Sequence, residues 1–238
     1  MKLSIVIPAF NEADRIVPTL THTVDYLESQ AYDSEIIVVS DGSTDGTQAV
    51  AERYATGERT RLRALEYHPN RGKGYAVRYG MLRADGEVVL FMDADYSVPI
   101  SAVTSGLECL QKGADVAIAS RALAESEIEH HQNLPRELSA RLYTFIQNLY
   151  LGIDHRDTQC GFKLFTRRAC RDLFGRQRLD SVIFDPEILW LAKLRGYRVA
   201  EFPVRWRHME DSRILYDHWR KSVFIFQELF RIKKLHRR

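Results

Sequence analysis

Residues 87–96 read EVVLFMDADY, a run of apolar residues (Val88, Val89, Leu90, Phe91, Met92) that stops abruptly at Asp93-Ala94-Asp95. Strands buried on both faces of a sheet read as continuous apolar runs of this kind. Two carboxylates at i and i+2, just past the carboxyl end of such a strand, sit where open α/β sheets place their ligands. They are also hard oxygen donors suited to Mg²⁺ or Mn²⁺, ions that bridge protein to a substrate diphosphate. A strand followed by a plain polar turn would give the same letters, so the neighbouring stretches have to decide.

Upstream, residues 3–7 (LSIVI) predict a buried strand that stops at Pro8, and Asn11 is placed to cap the next helix. Ile16, Leu20, Val24 and Leu27 recur at helical spacing. Residues 35–40 (EIIVVS) predict a second strand, closed by Asp41-Gly42-Ser43-Thr44-Asp45-Gly46 and followed by a helix over 47–54. A weaker strand over 62–67, a loop at 70–74 (NRGKG) and a helix over 75–83 lead into the Asp93/Asp95 strand. Downstream come a helix near 99–111 and a strand at 116–119. Strands alternating with helices predict a mostly parallel, Rossmann-like sheet with helices on both faces. Three loops then lie at the carboxyl ends of three strands and converge on one crevice.

Composition bounds the rest. The chain has 238 residues, 45% apolar and 28% charged, which is ordinary for a globular protein with a sizeable core. A net charge of +2 gives no reason to expect a nucleic-acid partner. The three cysteines, Cys109, Cys160 and Cys170, lack CxxC spacing, which argues against a disulfide framework or a zinc site and for a reducing compartment. No leader pattern precedes the first strand, and no window approaches the ~18 apolar residues of a membrane span. The expectation is a chain that is soluble or that rests on a membrane from one side.

Other nucleotide motifs are missing: Val77 falls where GxGxxG needs a small residue, and no GxxxxGK[ST] occurs. Asp41-x-Ser43-x-Asp45-Gly46 with Glu52 approaches a calcium loop, but such a loop needs a helix before it and EIIVVS is a strand. Lys73, between two glycines, has neighbours without side chains to obstruct its approach to a base or phosphate.

Taken together, VIPAFNE (6–12), VSDGSTDGT (39–47), NRGKGYAVRYG (70–80) and FMDADYS (91–97) resemble the inverting family 2 glycosyltransferases of the GT-A fold. DTQCGFKLFTR (157–167) and FDPEILWLA (184–192) are similar to the dolichyl-phosphate β-glucosyltransferase branch. The resemblance implies a pocket for the donor's base and ribose from Pro8, Ala9, Asn11, Glu12, Asp41 and Ser43, with Asp41 accepting from base or ribose. It implies that Lys73 reaches the base or the nearest phosphate, that Asp93 and Ala94 line the donor site, and that Asp95 ligates Mg²⁺ or Mn²⁺ with Asp93 beside it. His208 is a candidate late metal ligand, and Arg213 a second positive contact to the diphosphate. Ser97 stands where many mannosyl relatives carry Gln, which leans away from GDP-mannose. Ser120-Arg121 matches the family's clamp on an acceptor phosphate.

The acceptor decides what else the site needs. A phosphate monoester has a second pKa of roughly 6 and is already mostly dianionic at neutral pH. A strong general base is then dispensable, and orientation by cations becomes the main requirement. Arg121, Arg136, Lys163 and Arg167 fit that demand. Asp185, opening the helix over 186–194, occupies the family's base position and could equally be an N-cap; Asp157 is the alternative, or holds the acceptor loop. The implied reaction moves glucose from UDP-glucose to a polyprenyl (dolichyl-type) phosphate. GDP-mannose or another donor, a non-lipid acceptor, and a nucleotide-binding module without turnover are the alternatives.

From Tyr216 the sequence YDHWRKSVFIFQELFRIKKLHRR puts Tyr216, Trp219, Val223, Phe226 and Phe230 on one helical face, widened by Ile225, Leu229 and Ile232. Arg220, Lys221, Arg231, Lys233, Lys234, Arg237 and Arg238 border it. Such a helix either lies on an anionic leaflet or packs on the core. The expected organisation is a catalytic domain over 1–212 and a basic amphipathic tail over 213–238. Its expected place is the cytoplasmic face of a membrane, held peripherally. The polar stretch 126–135 reads as a mobile loop beside the acceptor entrance.

Overall fold

Pairing of strands by register shows how the sheet gathers its loops. The computed structural model describes residues 2–54, 56–129, 134–207 and 219–237, the backbone alone at 134–138 and 219–222. Among these, seven strands form one sheet in the order β3-β2-β1-β4-β7-β5-β8. They are β1 (Lys2–Ala9), β2 (Asp33–Asp41), β3 (Thr60–Tyr67), β4 (Val88–Met92), β5 (Val116–Ser120), β7 (Phe162–Thr166) and β8 (Val199–Pro203). All run parallel except β7, which is antiparallel to both β4 and β5. A second, two-stranded sheet pairs β6 (Glu127–Glu129) with β9 (Arg205–Arg207).

The chain winds from β1 to β2 and β3 on one side, then returns to place β4 on the other side of β1. The loops after β1, β2 and β4 therefore flank the point where strand order reverses, as open α/β sheets require of a ligand crevice. Helices cover both faces: α1 (Ile16–Glu28), α2 (Thr47–Glu52), α3 (Lys73–Met81), α4 (Val103–Gln111, after a 3-10 turn at Ile100–Ala102), α5 (Leu134–Leu151), α6 (Arg167–Arg176), α7 (Phe184–Leu194) and α8 (Trp219–Leu235). Alternate strand residues feed two cores. Val6, Val39, Phe91, Ile118 and Phe165 face α3, α6, α7 and α8, while Ile5, Val38, Leu90, Ala117 and Leu164 face α1 and α4.

Several local expectations shift. β1 continues through Pro8 to Ala9, because its pairing with β4 ends at Val6 and only β2 runs alongside further. Lys73 and Gly74 belong to the first turn of α3, not to the preceding loop. Asn11 does not cap α1; with φ +53° it accepts from the Thr44 N–H instead (2.8 Å). Ile183 takes the N-cap of α7, so Asp185 lies inside its first turn. Part of the stretch expected to be a loop, 127–129, is β6, and 130–133 lie outside the described residues. β2 runs straight into Asp41, where a calcium loop needs a helix, and Asp45 is spent on Thr47 and the Ala13 N–H.

Helix α8 is no separate tail over its described length. Leu229 and Ile232 are fully buried in the core that also holds α7, and His236 Nε2 lies 2.6 Å from Glu187 of that helix. Val223, Phe224, Phe230 and Leu235 stay exposed.

Candidate active site

The first two loops of the crevice are knitted to each other. Ser43 Oγ accepts from the Asn11 N–H (3.0 Å), and Thr47 Oγ1 accepts from the Glu12 N–H (2.8 Å). Glu12 itself is held by Arg15 through two hydrogen bonds of 2.7 and 2.6 Å. Pro8 and Ala9 end the strand beneath them. Asp41, expected to receive the donor's base or ribose, has another occupation. Its buried carboxylate accepts from the Arg71 N–H (2.7 Å), the Gly72 N–H (2.9 Å) and Asn70 Nδ2 (3.0 Å). Asp41 thus anchors the NRGKG loop and, through it, the start of α3.

Lys73 leaves that start and meets Asp93, Nζ to Oδ1 at 2.6 Å. The glycines around it serve a close approach to protein, not to a ligand. A Cβ at Gly72 would lie 2.6 Å from the Asp180 carbonyl oxygen, and one at Gly74 would lie 2.6 Å from that of Ser181. Helix α3 is therefore pressed flush against the segment leading into α7. Burial opposes the Lys73 charge, but Asp93, Asp185 and Asp95 hold its ammonium above the ordinary value.

The β4 loop carries the paired carboxylates. Ala94 is fixed by its carbonyl, which accepts from Thr19 Oγ1 (2.6 Å). Asp95 Oδ1 accepts from the Ser97 N–H (3.0 Å), an Asx-type turn that lets Tyr96 take φ +57°. Burial, and then the neighbouring Asp93 charge, push the Asp95 carboxyl above its ordinary range. Two carboxylates crowded this way are what a divalent cation relieves. Room for them comes from Gly161, where a Cβ would fall 2.0 Å from Asp93 Oδ2. Among the described residues no third His, Cys, Asp or Glu joins them as a metal cluster. His208 and Arg213 lie outside the described residues. The residue before His208, Arg207, donates its N–H to the Ser97 carbonyl (2.9 Å), so β9 leads the chain to the Asp95 loop.

Antiparallel β7 brings the second half of the site. Its register sets Lys163 opposite both Phe91 and Ile118, aimed into the core with no exposed surface. There its ammonium donates to Asp185 Oδ1 (2.6 Å) and to the Cys160 carbonyl (2.6 Å). Expected to hold an acceptor phosphate, Lys163 instead sits beneath the site as the counter-ion of Asp185. Burial raises the Asp185 carboxyl against the opposing pull of Lys163 and Lys73. At the end of β5, Arg121 grips Asp157 in a bidentate pair, Nε to Oδ2 at 2.6 Å and Nη2 to Oδ1 at 3.0 Å. Burial opposes the Asp157 charge, yet Arg121 outweighs it and draws the carboxyl below its ordinary range. Asp157 thus orients Arg121. Arg167 is at the wrong end of the sheet: it donates to the carbonyls of Gly86 and Asp85, before β4 begins. The side chain of Arg136 is not among those described.

Sequence reasoning missed Gly161, the pairing of Lys163 with Asp185, and Glu187. Glu187 is fully buried and accepts from the Arg178 and Leu179 N–H groups (2.8 and 2.9 Å), fixing the segment on which α3 rests. The signal was present in CGFK and FDPE as a glycine and charges inside apolar runs, but what they face is a matter of topology.

The fold, the paired carboxylates and their cationic neighbours meet a family model for glycosyl transferase family 2 that matches residues 4–174. The chain belongs to glycosyl transferase family 2. This family member is 36% identical over 221 residues to dolichyl-phosphate beta-glucosyltransferase ALG5A of Trichomonas vaginalis, covering 89% of this chain and 68% of that protein. It is 34% identical to the human dolichyl-phosphate beta-glucosyltransferase, covering 90% and 70%. The chain thus spans about two thirds of the length of such relatives. Among solved structures it resembles glucosyl-3-phosphoglycerate synthase from Mycobacterium tuberculosis in complex with Mn²⁺, UDP and glucosyl-3-phosphoglycerate (TM-score 0.67, 18% identity, 98% of this chain and 78% of that one). It also resembles mannosyl-3-phosphoglycerate synthase from Rubrobacter xylanophilus (TM-score 0.66, 19% identity, 98% and 73%). These likenesses show the GT-A fold. The protein is a glycosyltransferase.

Proposed function

We propose that this glycosyltransferase moves glucose from UDP-glucose to a polyprenyl phosphate of dolichyl type, with inversion at the anomeric carbon. Relatives named for dolichyl phosphate and β-glucosyl transfer support the acceptor and the sugar. A neighbour of the same fold bound to UDP and Mn²⁺ supports the donor and the ion. The observation that carries the reading is the crowding of Asp93 and Asp95 against Lys73 at the reversal of strand order, with Lys163–Asp185 behind and Arg121–Asp157 beside them.

Asp95 and Asp93 would hold Mg²⁺ or Mn²⁺, with His208 as a third ligand supported by the Arg207–Ser97 bond that delivers the chain there. When bound, the ion neutralises charge developing on the departing diphosphate. Lys73 supplies a second positive charge by turning from Asp93 to the diphosphate, and Arg213 is proposed as a third. The ends of β1 and β2, through Pro8, Ala9, Asn11, Glu12 and Ser43, shape the base and ribose pocket, while Asp41 keeps the Lys73 loop in register.

On the acceptor side Arg121, aimed by Asp157, and Arg136 receive the lipid phosphate. One phosphate oxygen forms the new bond to the anomeric carbon as the bond to UDP breaks on the opposite face. That oxygen carries no proton at neutral pH, so no base is required. Asp185, buried and already bonded to Lys163, serves as an aligner of the cationic groups around it. Three cysteines without CxxC spacing support a reducing compartment, and we place the enzyme on the cytoplasmic face, in peripheral contact through the exposed Val223, Phe224 and Phe230 and the basic end of α8. Among the described residues no helix is long and apolar enough to cross a membrane.

The test is transfer of label from UDP-glucose or GDP-mannose to dolichyl phosphate, with Mn²⁺ or with chelator. Lipid-extractable label from UDP-glucose alone, lost on chelation, is expected. Equal use of GDP-mannose, or label reaching only water-soluble acceptors, would overturn the assignment.

A further inference from the structure

Helix α5 presents two faces of opposite character. Its inner face is polar where it meets the acceptor side of the site. Gln147, fully buried, exchanges two hydrogen bonds with Thr158 (2.9 and 3.1 Å), and Asn148 Nδ2 donates to the His155 carbonyl (2.8 Å). These bonds clamp the helix to the segment 155–158, whose Asp157 aims Arg121. The outer face is apolar and uncovered among the described residues. Leu142, Phe145 and Leu149, spaced by three and four, are 57%, 65% and 75% exposed. Residues at that spacing form one stripe along a helix. A contiguous exposed apolar stripe marks a surface for a partner or a membrane.

Helix α8 lies alongside. The rings of Tyr143 and Phe226 are 5.7 Å apart, those of Tyr150 and Phe230 4.9 Å, and Tyr150 Oη donates to the Phe230 carbonyl (3.1 Å). The half-exposed Phe230 thereby joins α8 to the flank of α5. Lys233 donates to the Tyr150 carbonyl at the same border, and Lys234 and Arg237 are exposed beyond it. The only acidic residue of α8, Glu228, is buried and paired with Arg231.

We propose that the Leu142/Phe145/Leu149 stripe of α5 seats the enzyme on an anionic lipid bilayer, with α8 supplying the basic border. Apolar side chains bordered by lysine and arginine are complementary to the boundary between acyl chains and negative headgroups. Depth favours this occupant too. An interfacial helix sinks its apolar face about 5–10 Å into that boundary, and a helix is ~10 Å across. The 155–158 segment on the far side of α5 then stands at the level of the lipid phosphates, and Arg121 with it. An acceptor whose tail stays in the bilayer could reach Arg121 without being extracted. The inference rests on the lipid-phosphate acceptor proposed above and adds the surface that brings it to the site.

The test uses the full chain with Leu142→Glu, Phe145→Glu and Leu149→Glu, singly and combined, and Ser at the same positions as milder variants. Retained thermal stabilisation by UDP-glucose with Mn²⁺ checks folding. Sedimentation with phosphatidylcholine vesicles containing phosphatidylglycerol should fall by roughly tenfold or more in the combined variants, given the apolar area each side chain buries. Transfer to polyprenyl phosphate in those vesicles should fall in step, while transfer to a short, water-soluble prenyl phosphate stays unchanged. Vesicle binding equal to wild type in both combined variants would overturn the proposal. So would a wild-type dimer, seen by ultracentrifugation, that the substitutions dissolve without changing vesicle binding, because a second copy would then be the occupant. If wild type glucosylates no prenyl phosphate of any length, the functional assignment fails, while the sedimentation arm still reads the surface.

Discussion

The proposed donor and acceptor halves of this site are built by different means. On the donor side, the loops after β1 and β2 are joined by short hydrogen bonds between backbone N–H groups and Ser43, Asp45 and Thr47, and Asp41 holds the Lys73 loop in the same way. On the acceptor side, position is set by two ion pairs, Lys163–Asp185 and Arg121–Asp157, that join residues 22 and 36 positions apart. Many weak bonds tolerate the loss of one member. A buried ion pair does not, because the partner left behind keeps its charge in a low-dielectric place. Damage to the donor side should therefore show in chemistry, and damage to the acceptor side in folding as well.

The largest effect is expected at Asp95, one of the two carboxylates proposed to hold the ion. Asp95→Ala should cut turnover by about a thousandfold or more, since several kcal/mol of charge stabilisation depend on the ion it is proposed to hold. The melting temperature should hardly move, and a steady-state assay beside a thermal melt reads both.

Lys163→Met breaks the other half. It strands Asp185 without its ammonium and should cost about 3–5 kcal/mol of stability by chemical denaturation. Lys163→Met combined with Asp185→Asn should recover much of that loss. Asp185→Asn alone should slow transfer severely with UDP-glucose binding retained; near-normal turnover would remove Asp185 from the mechanism.

Arg121→Ala separates the halves kinetically. It should raise the KM for the lipid phosphate by roughly ten- to a hundredfold, the worth of a charge-assisted hydrogen-bonded contact, and leave donor binding alone. An equal rise in the donor's KM would merge the two regions.

The smallest effect belongs to a surface group that resembles the buried pairs in chemistry only. Asp172 is held by Arg176, Arg195 and Tyr197; slight burial works against its charge, but these partners draw its carboxyl down to about 2. A lowered carboxyl stabilises the fold above the unfolded value of about 3.9 and loses that contribution as pH falls towards 2. Screening limits the worth of such pairs to about 1 kcal/mol or less, so Asp172→Asn should matter little at pH 7 and progressively less as pH falls through about 2. Urea melts across that range measure it.

What the sequence made legible follows the same division. The donor loops are local: each lies on one stretch after one strand, and the apolar run before Asp93 announces its strand without help. The Asp41 carboxylate was legible as a strand-end acid, but its partners at 70–72 were not, since they come from another loop. The acceptor side depends on β7, whose antiparallel insertion between β4 and β5 breaks the alternation that signals parallel strands. A lysine in such a strand reads as surface charge until the register turns it towards Asp185. The segment FDPE gave Asp185 correctly as a helix-opening acid, while Glu187, two residues on, acts through backbone N–H groups that no residue pattern marks. The apolar face of α8 was visible as periodicity, but which of its residues the core takes, Leu229 and Ile232, depended on α7.

The most direct measurement is calorimetry of UDP-glucose binding, with Mn²⁺ and with chelator, to wild type and to Asp95→Ala. The account predicts binding by wild type that needs the ion, and its loss in the variant under both conditions. Equal affinity without metal, or an Asp95→Ala protein that binds UDP-glucose with Mn²⁺ as wild type does, would contradict it.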